Sequence, residues 1–188
     1  MKTHPIAAAV AFTVMVSGIV ALAVTKLSER ADGGHASSPP EKQLNQALRA
    51  AVQHGMEGRL DRAEAELSAL AEAHPEDALV WLNYGVALSG REKYEAAEDA
   101  FQRVLKLEPE AWAAHAELAT IYLLTERLDA AVEQLKMVPS GEGRVAERLH
   151  RDPVWLGVDD PRVDELRSKH AEVPETSLHV DDVTAKPR

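Results

Sequence analysis

The chain has 188 residues, enough for one ordinary domain, and its 31 acidic against 21 basic residues give a formal charge of -10. Such a charge repels phosphate backbones and anionic lipid headgroups, so nucleic acid is set aside as a partner. With no cysteine in the chain, disulfides, thiolate metal sites, a cysteine nucleophile and a lipid-modified N-terminal cysteine are all excluded.

Residues 1–25 begin with Lys2 and run without a charge from residue 6 to residue 24. At about 1.5 Å per residue, that run as a helix spans nearly the thickness of a bilayer's hydrocarbon core. Two readings stand. The short basic start, the apolar run and Ala21-Leu22-Ala23, which resembles an A-x-A cleavage site, make a secretory signal peptide. The length of the run, its continuation past that site and its end at Lys26 make an uncleaved transmembrane anchor, the reading adopted here. In either case the rest of the chain faces the periplasm if the basic end stays inside, although Lys26 and Arg30 oppose that orientation. The anchored form is membrane-bound and single-pass; the cleaved form is a soluble secreted or periplasmic protein.

Residues 26–42 hold Asp32-Gly33-Gly34, Ser37-Ser38 and Pro39-Pro40, a composition too poor in apolar groups to offset the entropy of folding. They are expected to be a disordered linker reaching roughly 20–25 Å, which keeps the folded part near the membrane surface.

Residues 43–145 repeat one pattern at a fixed spacing, over 44–77, 78–111 and 112–145. Small residues recur at Ala51, Gly85 and Ala119 and again at Ala63, Ala97 and Ala131; large ones recur at Leu67, Phe101 and Leu135. Pro75 and Pro109 end the first two units, because proline has no N–H to donate and clashes with the preceding turn. Turns at Gly58-Arg59-Leu60-Asp61, Arg91-Glu92-Lys93-Tyr94 and Glu126-Arg127-Leu128-Asp129 carry a large apolar residue at the same offset. The third unit stops early, at Pro139-Ser140-Gly141, so its second helix is expected to be a turn short. In the middle unit Trp81, Gly85, Ala97, Phe101 and Pro109 occupy the places of W-x2-L-G-x2-Y…A-x3-F…P, with Tyr84 and Leu88 exchanging its Leu and Tyr. On these residues the chain resembles the tetratricopeptide repeat (TPR) family. The first unit has Ala47 and His54 in the Trp and Tyr places, as suits a terminal repeat.

The resemblance implies an all-α solenoid of helical hairpins, here three repeats, in which Gly85 and Ala97 mark a close helix crossing. It also implies a job in protein–protein interaction. After the repeats, residues 142–150 read as a short helix, and Asp152-Pro153 and Asp160-Pro161 as loops that start new helices. Residues 146–172 resemble the degenerate unit that closes many bacterial TPR arrays, with Trp155, Leu156, Val163 and Leu166 covering the end of the stack. A tail at 173–188 is expected to be disordered.

Chemistry-bearing motifs are absent. None of the eight histidines forms H-E-x-x-H, no G-x-S-x-G occurs, and Ser140-Gly141-Glu142-Gly143-Arg144 lacks the G-K-[ST] of a phosphate loop. His54, His74 and His115 read as partly exposed helix-face residues. The densest ligand-type group, His150, Asp152, Asp159, Asp160 and His170, reads as helix caps and solvated loops rather than a metal site or the centre of a metal-dependent hydrolase. Glu95, Glu98 and Asp99 read as a solvated outer face. The expectation is a non-enzymatic scaffold with no cofactor.

In TPR folds the first helix of each repeat lines a concave groove, and one subgroup holds carboxylates there with a Lys/Asn/Arg clamp. Of the clamp places Leu48, Val52, Asn83, Ala113 and Glu117, only Asn83 matches, so a carboxylate clamp is not supported. The groove face is expected to be Leu48, Arg49, Val52, Leu82, Asn83, Val86, Glu117, Thr120 and Leu124, suited to an apolar helix or extended segment of a partner, unless several of these are core. The chain also resembles anchored bacterial TPR proteins of cytochrome maturation, pilus or cell-envelope biogenesis, which implies a role in envelope assembly.

Overall fold

A computed structural model describes residues 39–140 and 143–171. The apolar run 6–24, linker positions 26–38 and the tail 173–188 lie outside the described residues. Among the described residues no helix is long and apolar enough to cross a membrane.

The described chain is helical throughout: α1 (Pro39–Met56), α2 (Leu60–Ala73), α3 (Ala78–Gly90), α4 (Tyr94–Leu107), α5 (Trp112–Leu124), α6 (Leu128–Met137), α7 (Gly143–Arg151), α8 (Pro153–Leu156) and α9 (Pro161–Ala171). The first six form three antiparallel hairpins, α1–α2, α3–α4 and α5–α6, stacked side by side. α6, at 10 residues, is one turn shorter than the 14-residue α2 and α4. One boundary differs from expectation. The first helix, α1, starts at Pro39 rather than beyond Lys42, because proline's fixed φ suits the first helical positions and Glu41 complements the N-terminal dipole. The third hairpin ends at Met137, ahead of Pro139, and the next helix starts at Gly143, within the short helical stretch read at 142–150.

Size complementarity holds each hairpin. A Cβ added at Gly85 would lie 2.7 Å from Phe101 Cε1, so the ring rests directly on the α3 backbone. Ala97 and Phe101 are fully buried. The other hairpins use Ala51 with Leu67 and Ala119 with Leu135, all buried, at the corresponding places. Trp81 and Tyr84 pack against both the core of the first repeat and the core formed by the later repeats and cap, joining the two. The Trp81 indole donates to the Pro75 carbonyl at 3.0 Å, tying α3 to the loop before it.

The turns inside the hairpins share one backbone solution. Gly58, Glu92 and Glu126, which hold the same place in successive repeats, have φ of 75°, 59° and 61°. Each follows a helix end closed by a pair of reverse hydrogen bonds: Arg59 N–H to His54 O and Gly58 N–H to Gly55 O, Lys93 to Leu88 and Glu92 to Ser89, Arg127 to Tyr122 and Glu126 to Leu123. These are Schellman closures, which need a left-handed residue and favour glycine. A glutamate there carries the steric cost of the left-handed region. Glu92→Gly and Glu126→Gly are therefore expected to stabilise the fold by about 1 kcal/mol each, and Gly58→Ala to destabilise it by about as much. Thermal melts followed by circular dichroism check this; a lower midpoint for either glycine variant would contradict the strain argument.

Repeat-to-repeat ion pairs recur at the same period. Glu64 bonds Arg91 at 2.6 Å and Lys93 at 2.7 Å, and Glu98, its counterpart in the next repeat, bonds Arg127 at 2.7 Å and accepts from the Tyr122 hydroxyl at 2.9 Å. Glu98 is thus a clasp between repeats and not part of a solvated outer face, as Glu95 and Asp99 are. Partial burial pushes the Glu64 and Glu98 carboxyls up, but the cations and donors beside them outweigh it and hold both below their ordinary range.

Candidate functional site

An open cleft of about 650 Å³ lies where the α2–α3 loop, α3, the end of α4 and the start of α5 meet. Its floor is aliphatic, with Leu79, Leu82, Val104 and Ala113, and its rim carries His74, Glu76, Asp77 and Glu108. Among the described residues no lysine or arginine lines it. Local chemistry fixes the rim. Pro75 follows the end of α2, and Asp77 caps α3 by accepting from the Leu79 and Val80 N–H groups at 3.0 and 3.2 Å. Arg103, which does not line the cleft, braces the loop through the Pro75 carbonyl at 3.1 Å and the Glu76 carboxylate at 2.7 Å.

Of the nine residues expected to form the groove, Leu82 alone lines this cleft. Leu48, Val52, Leu82, Asn83, Glu117 and Thr120 are buried, Val86 and Leu124 are half-buried, and Arg49 is exposed. The amide of Asn83 donates back to the Leu79 carbonyl of its own helix at 2.7 Å. The expected nine-residue face is therefore not one open surface: α3 and α5 have apolar or small residues on every side and are contacted from several directions. Leu79 and Ala113, missing from that face, hold the same place in successive repeats, and each lies one helical turn before Leu82 or Ala116. That spacing was the available signal.

Glu117 and Thr120 are covered by the cap. Arg148 of α7 forms a buried ion pair with Glu117, and its second terminal nitrogen reaches the Ala116 carbonyl at 3.3 Å and the Thr120 hydroxyl at 3.4 Å. The Trp155 indole of α8 also donates to the Thr120 hydroxyl, at 3.4 Å. Burial pushes the Glu117 carboxyl up, with the Arg148 charge opposing it. The third repeat's share of the inner face is thus filled by the protein's own C-terminal unit, in which Trp155, Val163 and Leu166 are buried as expected and Leu156 is exposed.

The expected ligand-type group in the cap is divided among separate tasks. Asp152 caps α8 through the Val154 N–H at 2.9 Å. Asp160 bonds the Arg162 backbone and guanidinium, which hold its carboxyl down at about 2. His150 meets the Arg167 carbonyl, and His170 is buried, its pKa pushed down by burial and by Lys169. Among the described residues no group of three or more His, Asp or Glu has the geometry to hold a metal ion. Of the repeat histidines, His74 is exposed and His54 half-buried, whereas His115 is buried. Its ring nitrogens meet Gln134 Oε1 at 2.8 Å and the Pro109 carbonyl at 3.3 Å, because α5 leaves no free face there.

Stacked helical hairpins of one constant period, with tight small-against-large crossings and a closing unit, define a helical-repeat solenoid of the interaction-scaffold class. Tetratricopeptide repeat models match residues 48–89 and 88–147, and the chain belongs to the tetratricopeptide repeat family. Among curated proteins none matches the sequence. The type III secretion translocator chaperone SycD of Yersinia enterocolitica is similar in structure, with 17% identity and a TM-score of 0.52 over 73% of this chain and 96% of that one. MamA is similar at 17% identity and a TM-score of 0.55, over 81% of this chain and 85% of its own. A chain of the CopN-Scc3 complex is similar at 15% identity and 0.51, over 79% and 86%. At these identities the likeness concerns the fold.

Proposed function

We infer that this protein is a membrane-anchored, non-enzymatic scaffold that holds a protein or peptide partner in an envelope assembly process, with its repeats on the periplasmic side. The cleft carries this reading: an aliphatic floor stands open between rigid repeats, its rim loop fixed by Asp77, Trp81 and Arg103. Similar folds that include a secretion chaperone and a chain of a two-protein complex support a partner-holding role. The anchor reading is supported by the uncharged run at residues 6–24. A second reading, a soluble adaptor released by cleavage, is favoured by the short basic start and by Ala21-Leu22-Ala23 after the apolar run.

Fractionation of native cells tests the anchor. The protein is expected in the membrane pellet after high salt and alkaline carbonate, with residues 1–25 present by mass spectrometry. A soluble protein beginning at Val24 would replace the anchor with a cleaved signal.

A further inference from the structure

We propose that the cap is a proton-linked latch. Its helices α7, α8 and α9 dock on the third repeat together with one proton, held where two buried carboxyls share a single guanidinium, and undock increasingly as pH rises. Two sets of bonds separate the cap from its seat. Arg167 works inside the cap, donating to the Leu149 carbonyl at 3.3 Å, the Trp155 carbonyl at 2.5 Å and the Asp164 carboxylate, and so ties α9 to α7 and α8. Arg148 works outward, reaching Glu117, the Ala116 carbonyl and the Thr120 hydroxyl of α5. Other polar attachments are the Trp155 indole on Thr120, Lys169 on the Lys136 and Val138 carbonyls, and Arg162 on Asp129, a carboxylate so exposed that the pair gains little.

Charge counting at the outward contact calls for the proton. Glu117 and Asp152 are each 2% exposed, and Arg148 is the cation whose charge bears on both. α3, packed beside α5, contains no Asp, Glu, Lys, Arg or His. α6 carries Asp129, Glu133 and Lys136, which pair with Arg162 and with each other at the surface. Arg148 bonds one oxygen of Glu117 and leaves Oε2 buried without a partner, while Asp152 accepts from the Val154 N–H. With both carboxyls ionised the cluster holds an unbalanced negative charge out of water, and one proton removes it. Burial accordingly pushes both carboxyls up, against the pull of Arg148 on each and of the Val154 N–H on Asp152. Their contribution to docking is therefore complete below the ordinary values of 4.5 and 3.8 and is lost as pH climbs through the docked ones. His170, buried in α9 with neither ring nitrogen bonded, is pushed down by burial and by Lys169 and titrates with the opposite sign below its ordinary 6.5. Opening uncovers Glu117 and Thr120, so pH sets how much of the third repeat's inner face is accessible.

The chain has no cysteine, so one introduced thiol reports opening. Full-length protein in detergent micelles carries Thr120→Cys under the cap, Ala50→Cys at an exposed position, or Val80→Cys in the core of the first repeat. Each is labelled with a dipyridyl disulfide, and dividing the Thr120→Cys rate by the Ala50→Cys rate at the same pH cancels thiolate ionisation and gives the opening constant. Between about pH 6 and about pH 8 this constant is expected to rise at least threefold per pH unit over part of the range, below the ceiling of about tenfold for one proton. In Glu117→Gln and in Asp152→Asn, each of which leaves one carboxyl to one guanidinium, the rise should fall below about twofold across the whole range. His170 is common to all three proteins and cancels in the comparison. Val80→Cys should stay protected throughout. No labelling of Thr120→Cys, an opening constant that does not change with pH, an unaltered slope in either variant, or Val80→Cys labelled as fast as Thr120→Cys, which makes the opening global unfolding, overturns the proposal.

Discussion

Arg148→Met is expected to destabilise the protein by about 3–5 kcal/mol, because it leaves the Glu117 carboxylate buried without its counter-charge. Glu117→Met should cost less. The Arg148 side chain is 18% exposed against 3% for Glu117, so an orphaned guanidinium can shift towards solvent along its apolar stem. With both changes, methionines replace the pair beside Ala116 and Thr120, the latter already touched by the Trp155 indole, and most of the stability should return. The pH dependence follows from sign. Burial raises the folded pKa of Glu117 above its unfolded value, and removing Arg148 removes the main influence opposing that rise. A carboxyl with a raised folded pKa contributes stability that is complete below the unfolded pKa, near 4.5, and is lost as pH climbs through the folded value. The deficit of Arg148→Met should therefore shrink as pH falls from 7 towards 5. Urea titrations at both pH values, followed by circular dichroism, measure it; an equal deficit at both would mean that the pair is not desolvated as the structure places it.

Gly85→Ala is the second large effect. A methyl at that position meets Phe101 at 2.7 Å, and overpacking of this kind typically costs about 1–3 kcal/mol, outweighing alanine's helix-propensity advantage of about 1 kcal/mol. The chain contains its own remedy. The first and third hairpins place Ala51 against Leu67 and Ala119 against Leu135, so Gly85→Ala with Phe101→Leu rebuilds in the middle hairpin a pairing used on both sides of it. We expect each single change to lower stability and the double variant to recover at least about 1 kcal/mol relative to their sum, a coupling that only directly touching sites show. Additive losses would mean that Gly85 and Phe101 do not share one crossing.

The number of hairpins, their register and the missing turn of α6 were legible in the chain because each comes from a local demand that recurs with every repeat. A close crossing needs a small residue, its partner must be large, and proline must stop the helix whatever lies beyond. Leu60, Tyr94 and Leu128 each proved to be the first residue of a second helix for the same reason. Glu98 was misread because its partner Arg127 belongs to the turn of the following repeat, and periodicity along one helix does not report on that turn.

What the sequence alone determined, then, is the architecture: small-to-large pairing and helix stops are properties of neighbouring residues on one hairpin. What only the tertiary structure decided is which side of each inner helix stays open. In α3 and α5 most side chains are buried, and because successive side chains step by roughly 100° the part-exposed ones do not follow one periodic face, so periodicity does not mark the open strip. Leu79 and Ala113 fall on that strip, whereas Glu117 and Thr120 do not, because Arg148 and Trp155 reach them from a cap that follows the last repeat in the chain.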